Sequence, residues 1–213
     1  MEDRFIADFI LKYAEASSSL NSDFTTRIYE STRIRPKGHM CLGPLPGFLI
    51  RSFLLAKQPS SILEMGTFTG YVLSIFNEFT PIHCRITSID DDRNNTFSEL
   101  TETFSDEIIS GKIKLIKQEG VSYLKETTDI FDMMFLDARK EDFYNEVDLL
   151  HSKLNLNGLL ICDNALAGLK VFNPEKEWER CAIEFNKNLK NDSRFISMLL
   201  PLRDGFNISI KIK

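Results

Sequence analysis

The chain has 213 residues, of which 43% are hydrophobic and 27% charged, and its formal net charge is -5. That length fits one domain with a full core, and the negative charge disfavours a surface built to hold nucleic acid, without excluding a small basic patch. No apolar run approaches the length needed to cross a bilayer, and no apolar segment of signal-peptide type follows the acidic first residues. We therefore expect neither export nor membrane insertion.

The four cysteines, Cys41, Cys84, Cys162 and Cys181, are far apart in sequence and form no CxxC pair. The three histidines do not lie at zinc-finger spacing from them. Thiols in strand-like runs behave as small buried hydrophobes. The sequence therefore predicts four reduced cysteines and a cytoplasmic location.

The first third of the chain predicts helices around one irregular segment. Apolar residues at helical spacing predict a helix over Phe5–Ala14, and Ser17–Ser19 end it. Glycines and prolines crowd Arg33–Gly47, which predicts a loop that leads into a helix over Phe48–Lys57.

Strand and helix patterns then alternate along the chain. The predicted strands are Ser61–Met65, Arg85–Asp90, Lys112–Lys117, Phe131–Asp137 and Gly158–Asp163. The predicted helices are Tyr71–Phe79, Asn94–Ile109, Val121–Lys125 and Glu141–Leu154. This alternation predicts crossover connections and a parallel sheet with helices on both faces.

The C-terminal part breaks the alternation. A helix is predicted over Glu175–Leu189, and strands over Phe195–Leu200 and Phe206–Lys213 flank the turn signal Asp204-Gly205. The sequence thus predicts an α/β, Rossmann-like, doubly wound sheet of seven mostly parallel strands, closed by an antiparallel hairpin. We expect one domain over 1–213, with N-terminal helices and a substrate or cofactor loop in 1–57 and the sheet core in 58–213.

A glycine turn follows the first predicted strand. Gly66 and Gly70 stand four residues apart between Glu64 and the helix that begins at Tyr71. The strand–turn–helix order places a ligand at the carboxyl edge of a parallel sheet, because glycine lets backbone and ligand approach closely. The spacing is not GxGxxG, so it favours a nucleoside-bearing cofactor in general; a turn without a ligand is the alternative.

Acidic residues end four of the predicted strands, at Glu64, Asp90, Asp137 and Asp163. An acid about twenty residues past the glycines is placed to hold a ribose hydroxyl pair, which favours Asp90 for that role. The alternative is that Asp90 and the next two aspartates cap the following helix.

Asp137 and Asp163-Asn164 form a second group. Two carboxylates and an amide oxygen suit a magnesium-like ion that keeps some ligand positions open. Capping of the two following helices is the alternative. Lys140 follows three residues after Asp137, where it is either a general base or a solvated charge.

Together these motifs resemble a known family. The matching segments are Ile62–Tyr71, Ile86–Asp90, Phe131–Ala138, Gly158–Asn164 and Phe185–Gly205. In order and spacing they resemble the cation-dependent O-methyltransferases, which include catechol and caffeoyl-coenzyme A O-methyltransferases and bacterial relatives. The resemblance covers the chain from about Pro36 onward.

The resemblance implies S-adenosylmethionine (SAM) as cofactor. It assigns the methionine part of SAM to the segment that holds Glu64, Gly66, Phe68 and Gly70. The ribose is assigned to Asp90, the adenine to the pair Glu119 and Gly120, and a further part of the cofactor-site lining to Met40.

The resemblance also implies a divalent cation, with Mg²⁺ expected, held by Asp137, Asp163 and Asn164. Asp137 then serves the cation, the cofactor side of the site and catalysis, and Lys140 is the general base. The family resemblance further implies a homodimer.

Four departures from the family pattern stand out. Val72 replaces a serine that contacts the cofactor, and Gln118–Gly120 replaces a common Gly-Asp-Ala. Arg139 replaces an acid beside the metal aspartate, and Ala167 replaces a tryptophan of the substrate wall. These changes imply an acceptor pocket of a different shape.

The expected reaction is methyl transfer from SAM to a hydroxyl of a small acceptor with two adjacent oxygens, such as a catechol. One alternative is methylation of a hydroxylated wobble uridine in transfer RNA. Another is a degenerate member that binds the cofactor without catalysis. A nicotinamide-dependent dehydrogenase is disfavoured, because the turn lacks GxGxxG.

Overall fold

The computed structural model describes residues 8–19 and 21–213 and divides the chain into two compact units. The first unit comprises the described residues up to Gln58 together with Thr69–Thr80, and the second comprises Pro59–Phe68 and Pro81–Lys213. That the whole chain acts as one domain stays a proposal.

The first unit is helical. Its helices are α1 (Asp8–Ala16), α2 (Asp23–Arg33), α3 (Pro44–Lys57) and α4 (Tyr71–Phe79), with a 3₁₀ turn at Gly38–Met40. The start of the helix predicted from Phe5 lies outside the described residues. Helix α2 was not predicted from the sequence. Its N-cap Ser22 accepts a hydrogen bond from the backbone N–H of Thr25.

The predicted loop over Arg33–Gly47 was wrong at its C-terminal end. Helix α3 begins at Pro44, four residues earlier than predicted. Proline is tolerated in the first turn of a helix, because the N–H groups there have no partner within the helix. The glycines and prolines of this segment therefore mark both a loop and the start of a helix.

The second unit is built on one seven-stranded sheet. Its strands are β1 (Ser61–Met65), β2 (Arg85–Asp90), β3 (Ile113–Lys117), β4 (Phe131–Leu136), β5 (Leu154–Cys162), β6 (Phe195–Leu200) and β7 (Phe206–Lys211). They lie in the order β3-β2-β1-β4-β5-β7-β6, parallel from β3 to β5, with β7 antiparallel to both β5 and β6. The mostly parallel sheet and the closing hairpin are confirmed.

Six helices complete the second unit: α5 (Phe97–Thr103), α6 (Ser105–Ile109), α7 (Gly120–Glu126), α8 (Lys140–Phe143), α9 (Val147–Ser152) and α10 (Glu177–Asn191). Two predicted helices, over Asn94–Ile109 and Glu141–Leu154, are each broken into two shorter ones. The first break lies at Phe104, whose side chain is fully buried. Leu154, predicted as the end of a helix, instead begins β5.

One core cluster lies between the sheet and its helices. Alternate strand residues such as Leu63, Met134 and Leu160 belong to it, together with Phe143 from α8 and Phe185 from α10. Since strand side chains alternate between faces, the residues between them in sequence point to the opposite face. Glu64, Ser88 and Phe135, which are register partners, therefore share that opposite face.

All four cysteines are buried and free of disulfides, as predicted. Within the described ranges, no helix combines the length and the apolar composition that a bilayer crossing requires.

Candidate functional site

The candidate site lies at the carboxyl ends of β1, β2, β4 and β5. The sheet has a switch point between β1 and β4, because β2 and β3 lie on one side of β1 whereas β4 and β5 lie on its other side. Ligands of open α/β sheets bind outside the carboxyl ends of the strands at such a switch point. The four acids predicted for the site, Glu64, Asp90, Asp137 and Asp163, all lie at this edge.

Gly66 allows β1 to end close to β4. Its φ is 98°, and its N–H donates a 2.8 Å hydrogen bond to the carbonyl of Ile89. A Cβ at this position would collide with the carbonyl oxygen of Asp137. The N–H of Asp137 in turn donates to the carbonyl of Met65 at 2.8 Å. Only glycine fits both the positive φ and this close approach.

Asp90 is held by the backbone on both sides. Its Oδ2 accepts a 2.9 Å hydrogen bond from the N–H of Phe68, and its Oδ1 accepts a 2.7 Å bond from the N–H of Asp92. A carboxylate oxygen can accept more than one hydrogen bond. Asp90 is therefore oriented while retaining capacity for two ligand hydroxyls.

Glu64 is the most deeply buried acid of the site, with no exposed surface. Ser88 Oγ donates a hydrogen bond to its Oε2, whereas its Oε1 has no hydrogen-bond partner among the described residues. Burial raises the pKa of Glu64 to about 8, and the charges of Asp90 and Asp137 add to the rise although the Ser88 hydrogen bond opposes it. This carboxyl group can therefore accept a hydrogen bond or a positive charge from a ligand at Oε1.

Glu119 and Gly120 start α7. The Glu119 side chain caps the helix by accepting 2.8 Å hydrogen bonds from the N–H groups of Val121 and Ser122. Partial burial opposes ionisation, but these bonds prevail and lower its pKa. A Cβ on Gly120 would collide with the Met65 side chain at the end of β1. The pair predicted to flank the adenine is therefore close to the glycine turn.

Asp137 and Asp163 occupy equivalent positions on neighbouring strands. Each follows directly after a register pair, Leu136 and Cys162, and the N–H of Asp163 donates to the carbonyl of Leu136 at 3.0 Å. Burial raises the pKa of both carboxyl groups, and the charge of Asp163 raises that of Asp137 further. Two carboxylates this close favour either a shared proton or a bound positive charge.

Lys140 lies beside this pair at the start of α8 and is only 3% exposed. Its Nζ donates a 3.1 Å hydrogen bond to the carbonyl of Ala138 and lies 5.4 Å from the ring centroid of Phe143. Its charge lowers the pKa of both Asp137 and Asp163. The structure therefore brings the predicted base and the two predicted acids together.

Asn164 is oriented by a residue that the sequence analysis missed. Its amide nitrogen donates a 3.2 Å hydrogen bond to Oδ2 of Asp204, which leaves its amide oxygen available as an acceptor. The N–H of Leu166 donates to the carbonyl of Asp204 at 2.7 Å, which ties the β6–β7 turn to this segment. The turn signal at Asp204-Gly205 predicted the hairpin but gave no sign of this contact.

Two arginines, Arg139 and Arg203, supply further positive charge in this part of the molecule. Arg139 Nε lies 3.9 Å from the carboxylate of Glu141 and 4.0 Å from that of Asp142, so Arg139 pairs with acids of α8. Besides Lys140, the cation whose charge lowers the pKa of Asp137 and Asp163 is Arg203. Arg203 belongs to the β6–β7 turn and was not among the predicted site residues.

Ala167 is buried in a 3₁₀ turn over Ala167–Leu169. The ring of Trp178, the chain's single tryptophan, lies 3.2 Å from the position that a Cβ on Gly168 would take. An indole is therefore close to the turn that carries Ala167, although the sequence places it eleven residues later.

Three predicted residues belong to the first unit. Met40 lies in the 3₁₀ turn and is 53% exposed. Gly70 is the N-cap of α4 with φ 85°, and Val72 is buried in that helix. The cofactor contacts of Met40 and Gly70 stay predictions, as does the loss of a cofactor hydrogen bond where Val72 replaces serine.

No cluster of three or more histidine, cysteine, aspartate and glutamate side chains suited to a metal ion occurs within residues 8–19 and 21–213. The predicted cation set differs from such a cluster, because it combines two carboxylates with one amide. The cation stays a prediction.

Comparison with known proteins gives consistent matches over nearly the whole chain. The model of a family described as O-methyltransferase matches residues 14–212. A caffeoyl-CoA O-methyltransferase from Stellaria longipes is 26% identical over 205 residues, covering 90% of this chain and 84% of its own. The O-methyltransferase hkm8 from Aspergillus hancockii is 27% identical over 176 residues, covering 77% of this chain and 69% of its own.

Solved structures are similar as well. The methyltransferase PaMTH1 from Podospora anserina, bound to S-adenosylhomocysteine (SAH), superposes with a TM-score of 0.84 at 25% identity, covering 97% of this chain and 94% of its own. The SAM-bound O-methyltransferase TomG from Streptomyces achromogenes gives a TM-score of 0.80 at 18% identity, covering 95% of each chain. At that lower identity the likeness concerns the fold alone.

Proposed function

The chain belongs to the O-methyltransferase family, and we propose that it methylates a hydroxyl of a small acceptor with two adjacent oxygens, with a divalent cation at Asp137, Asp163 and Asn164. Members of this family use SAM as the methyl donor. Caffeoyl-CoA and flavonoid methyltransferases are among the named relatives. From them we extend to this chain the class of small hydroxylated aromatic acceptors.

The observation that carries the proposal is the pair of neighbouring carboxyl groups, Asp137 and Asp163, next to the buried Lys140. Asp163 is buried and Asp137 partly buried, and two neighbouring carboxylates whose pKa values are raised bind a divalent cation in place of their protons. The Asn164 amide nitrogen donates a hydrogen bond to Asp204, so the amide oxygen is available as a cation ligand. The donor set is made of hard oxygen atoms, which fits Mg²⁺ in chemistry.

SAM would be held along β1 and β2. Glu64 and the backbone around Gly66 and Phe68 would bind the methionine part, and Asp90 the ribose. Glu119 and Gly120 would flank the adenine. Met40 and Gly70 are the further candidates for cofactor contact. Holding donor and acceptor in line converts a bimolecular step into an effectively unimolecular one, which supplies much of the acceleration.

Asp137, Asp163 and Asn164 would hold the cation, whose positive charge would favour loss of the proton from the attacking hydroxyl. The protein must then take up that proton. Lys140 would accept it at Nζ, which lies 3.1 Å from the carbonyl oxygen of Ala138 beside the aspartate pair. The low exposure of Lys140 keeps this transfer out of bulk water.

The test is methyl transfer by the purified chain to a panel of catechols, with monohydroxy compounds of the same skeleton as matched controls. We expect turnover of the vicinal diols alone, loss of turnover with excess EDTA, and recovery when Mg²⁺ is restored. Full turnover in EDTA would contradict the cation. Equal turnover of diols and monohydroxy controls would contradict the acceptor class.

The cellular location and the oligomeric state belong to the same proposal. Buried free cysteines are consistent with a reducing, cytoplasmic location, and the family resemblance favours a homodimer. Fractionation of the source cells tests the location, and sedimentation of the purified chain at several concentrations tests the dimer.

A further inference from the structure

Two buried hydroxyl groups form a chain of hydrogen bonds that ends on Glu64. Thr67 Oγ1 lies 2.6 Å from Ser88 Oγ, and Ser88 Oγ donates to Glu64 Oε2. Thr67 is 4% exposed, and Ser88 and Glu64 have no exposed surface. The three residues come from the glycine turn, β2 and β1, so the chain of bonds links three segments of the site.

The direction of the bonds follows from the number of protons. A hydroxyl has one proton to donate, and the Ser88 hydroxyl is the donor in its bond to Glu64 Oε2. Ser88 uses its proton on Glu64, so the proton between Thr67 and Ser88 must come from Thr67. The order is therefore Thr67 to Ser88 to Glu64, and we call these three residues the hydroxyl relay.

The relay occupies one carboxylate oxygen and leaves the other. Glu64 Oε1 is buried and has no hydrogen-bond partner among the described residues. A buried carboxylate oxygen without a partner is costly, and such groups in folded proteins call for an explanation. The Ser88 hydroxyl, itself bonded to Thr67, holds Oε2, and because both oxygens belong to one planar group this also restricts where Oε1 points.

We propose that Thr67 and Ser88 are positioning residues, which hold Glu64 so that Oε1 receives the ammonium group of the methionine part of SAM, directly or through one bridging water. This rests on the proposed function, which places the methionine part at Glu64. Of the polar groups in that part, only the ammonium group donates hydrogen bonds and carries a positive charge within reach of a carboxylate. The sulfonium has no N–H or O–H, and the cofactor's carboxylate is repelled.

The register of the sheet gives Ser88 its place. Ser88 pairs with Glu64 across β1 and β2, so their side chains lie on the same face. Thr87, the preceding residue, points to the opposite face and is also buried, with 7% exposure. Thr87 is therefore a matched control for a buried hydroxyl that does not belong to the relay.

The experiment is calorimetric binding of two ligands, SAH and an SAH analogue in which hydrogen replaces the amino group. The variants are Ser88→Ala, Thr67→Val, Thr67→Ser and the control Thr87→Val. We expect Ser88→Ala to weaken SAH about tenfold and Thr67→Val about threefold, as for one hydrogen bond to a charged group and one step further away. The affinity of every variant for the analogue should be within about twofold of the wild-type affinity for the analogue.

The selectivity between the two ligands separates positioning from general damage, because a distorted site would weaken both. Equal losses for SAH and the analogue, or no loss of SAH binding in Ser88→Ala, would overturn the relay. Thr67→Ser keeps the hydroxyl and should restore the preference for SAH; a loss equal to that of Thr67→Val would also overturn it. If Ser88→Ala does not fold, the two Thr67 variants decide.

Failure of the proposed function gives a different result. A wild-type chain that binds neither ligand would overturn both the cofactor assignment and the relay. A wild-type chain that binds SAH and the analogue equally would overturn the relay and leave SAM binding intact.

Discussion

The two halves of the site are built differently. Along β1 and β2, the cofactor edge, Glu64 and Asp90 are held by neutral donors: a serine hydroxyl and two backbone N–H groups. Along β4 and β5, the cation edge, Asp137 and Asp163 follow neighbouring strands, and the groups that lower their pKa values most by charge are Lys140 and Arg203. The cofactor edge is ready for a ligand, whereas the cation edge has negative charge still to be balanced.

This difference teaches which changes should affect binding and which should affect turnover. Neutral donors orient a carboxylate without competing for its charge, so changes at the cofactor edge should alter affinity for SAM. Charged neighbours control protonation, so changes at the cation edge should alter the rate. The predictions that follow test this division, beginning with the largest effect.

Lys140→Met should lower kcat by about 10²–10⁴-fold, as expected for loss of a general base. Methionine keeps an unbranched side chain against Phe143, so packing is largely retained. Initial rates at saturating SAM, with KM for the acceptor measured in parallel, check this. A kcat within threefold of the wild type would remove Lys140 from the reaction.

Gly66→Ala should destabilise the fold by about 2–4 kcal/mol, because it adds backbone strain at positive φ and a collision with the Asp137 carbonyl. Gly111→Ala is the matched control: its φ is 74°, and nothing lies within 4 Å of the added Cβ. The control should lose only about 1–2 kcal/mol from the same kind of backbone strain. Urea denaturation of both variants measures the difference, and equal losses would show that β1 and β4 do not need the close approach.

Glu64→Gln should make the ligand-free protein less sensitive to alkaline pH. Because the folded-state pKa of about 8 is above the ordinary value of 4.5, the stability that Glu64 contributes is fully present below about pH 4.5 and is lost as the pH rises through about 8. The variant should therefore gain about 1–3 kcal/mol over the wild type between about pH 6 and pH 9. Asp137 and Asp163 titrate in both proteins, so the comparison isolates Glu64.

Urea denaturation at the two pH values measures this gain. Parallel pH dependence of the two proteins would contradict the burial of an ionisable Glu64. The same variant should bind SAH more weakly at either pH, since a neutral amide replaces the acceptor of the ammonium group.

Arg139→Ala should have the smallest effect, within about twofold on kcat and about 0.5 kcal/mol on stability. Its guanidinium is about half exposed and pairs loosely with Glu141 and Asp142, and surface pairs of this kind contribute little. Rates and melting curves of the variant check this. A large gain in rate would show instead that Arg139 repels the cation.

How much was predictable from the sequence depends on whether the signal is local. Strands β1, β2 and β6 have the predicted bounds, because each is a short run that contains apolar residues and lies between turn- or loop-forming segments. The break at Phe104 was not predictable, since the helical pattern of apolar residues continues through it. Pro44 was misinterpreted because a proline inside a loop and one in the first turn of a helix look alike in sequence.

The same difference between local and non-local sequence signals applies to the site. Asp137 and Asp163 were found because each ends an apolar run, and parallel strands bring such ends together. Ser88 and Asp204 were missed because their roles depend on strand register and on a turn forty residues from Asn164. A local sign existed for one of them: Thr87-Ser88 puts two hydroxyls within an otherwise apolar buried strand, and at least one of them needs a partner.

The most direct test of cation-assisted methyl transfer is Asp163→Ala, assayed for turnover with Mg²⁺ and, separately, for SAH binding by calorimetry. The division between the two edges predicts loss of turnover by at least about a hundredfold, with SAH affinity within about threefold of the wild type. Wild-type turnover by this variant in the presence of EDTA would contradict the role of the cation edge. Loss of SAH binding together with turnover would contradict the separation of the two edges.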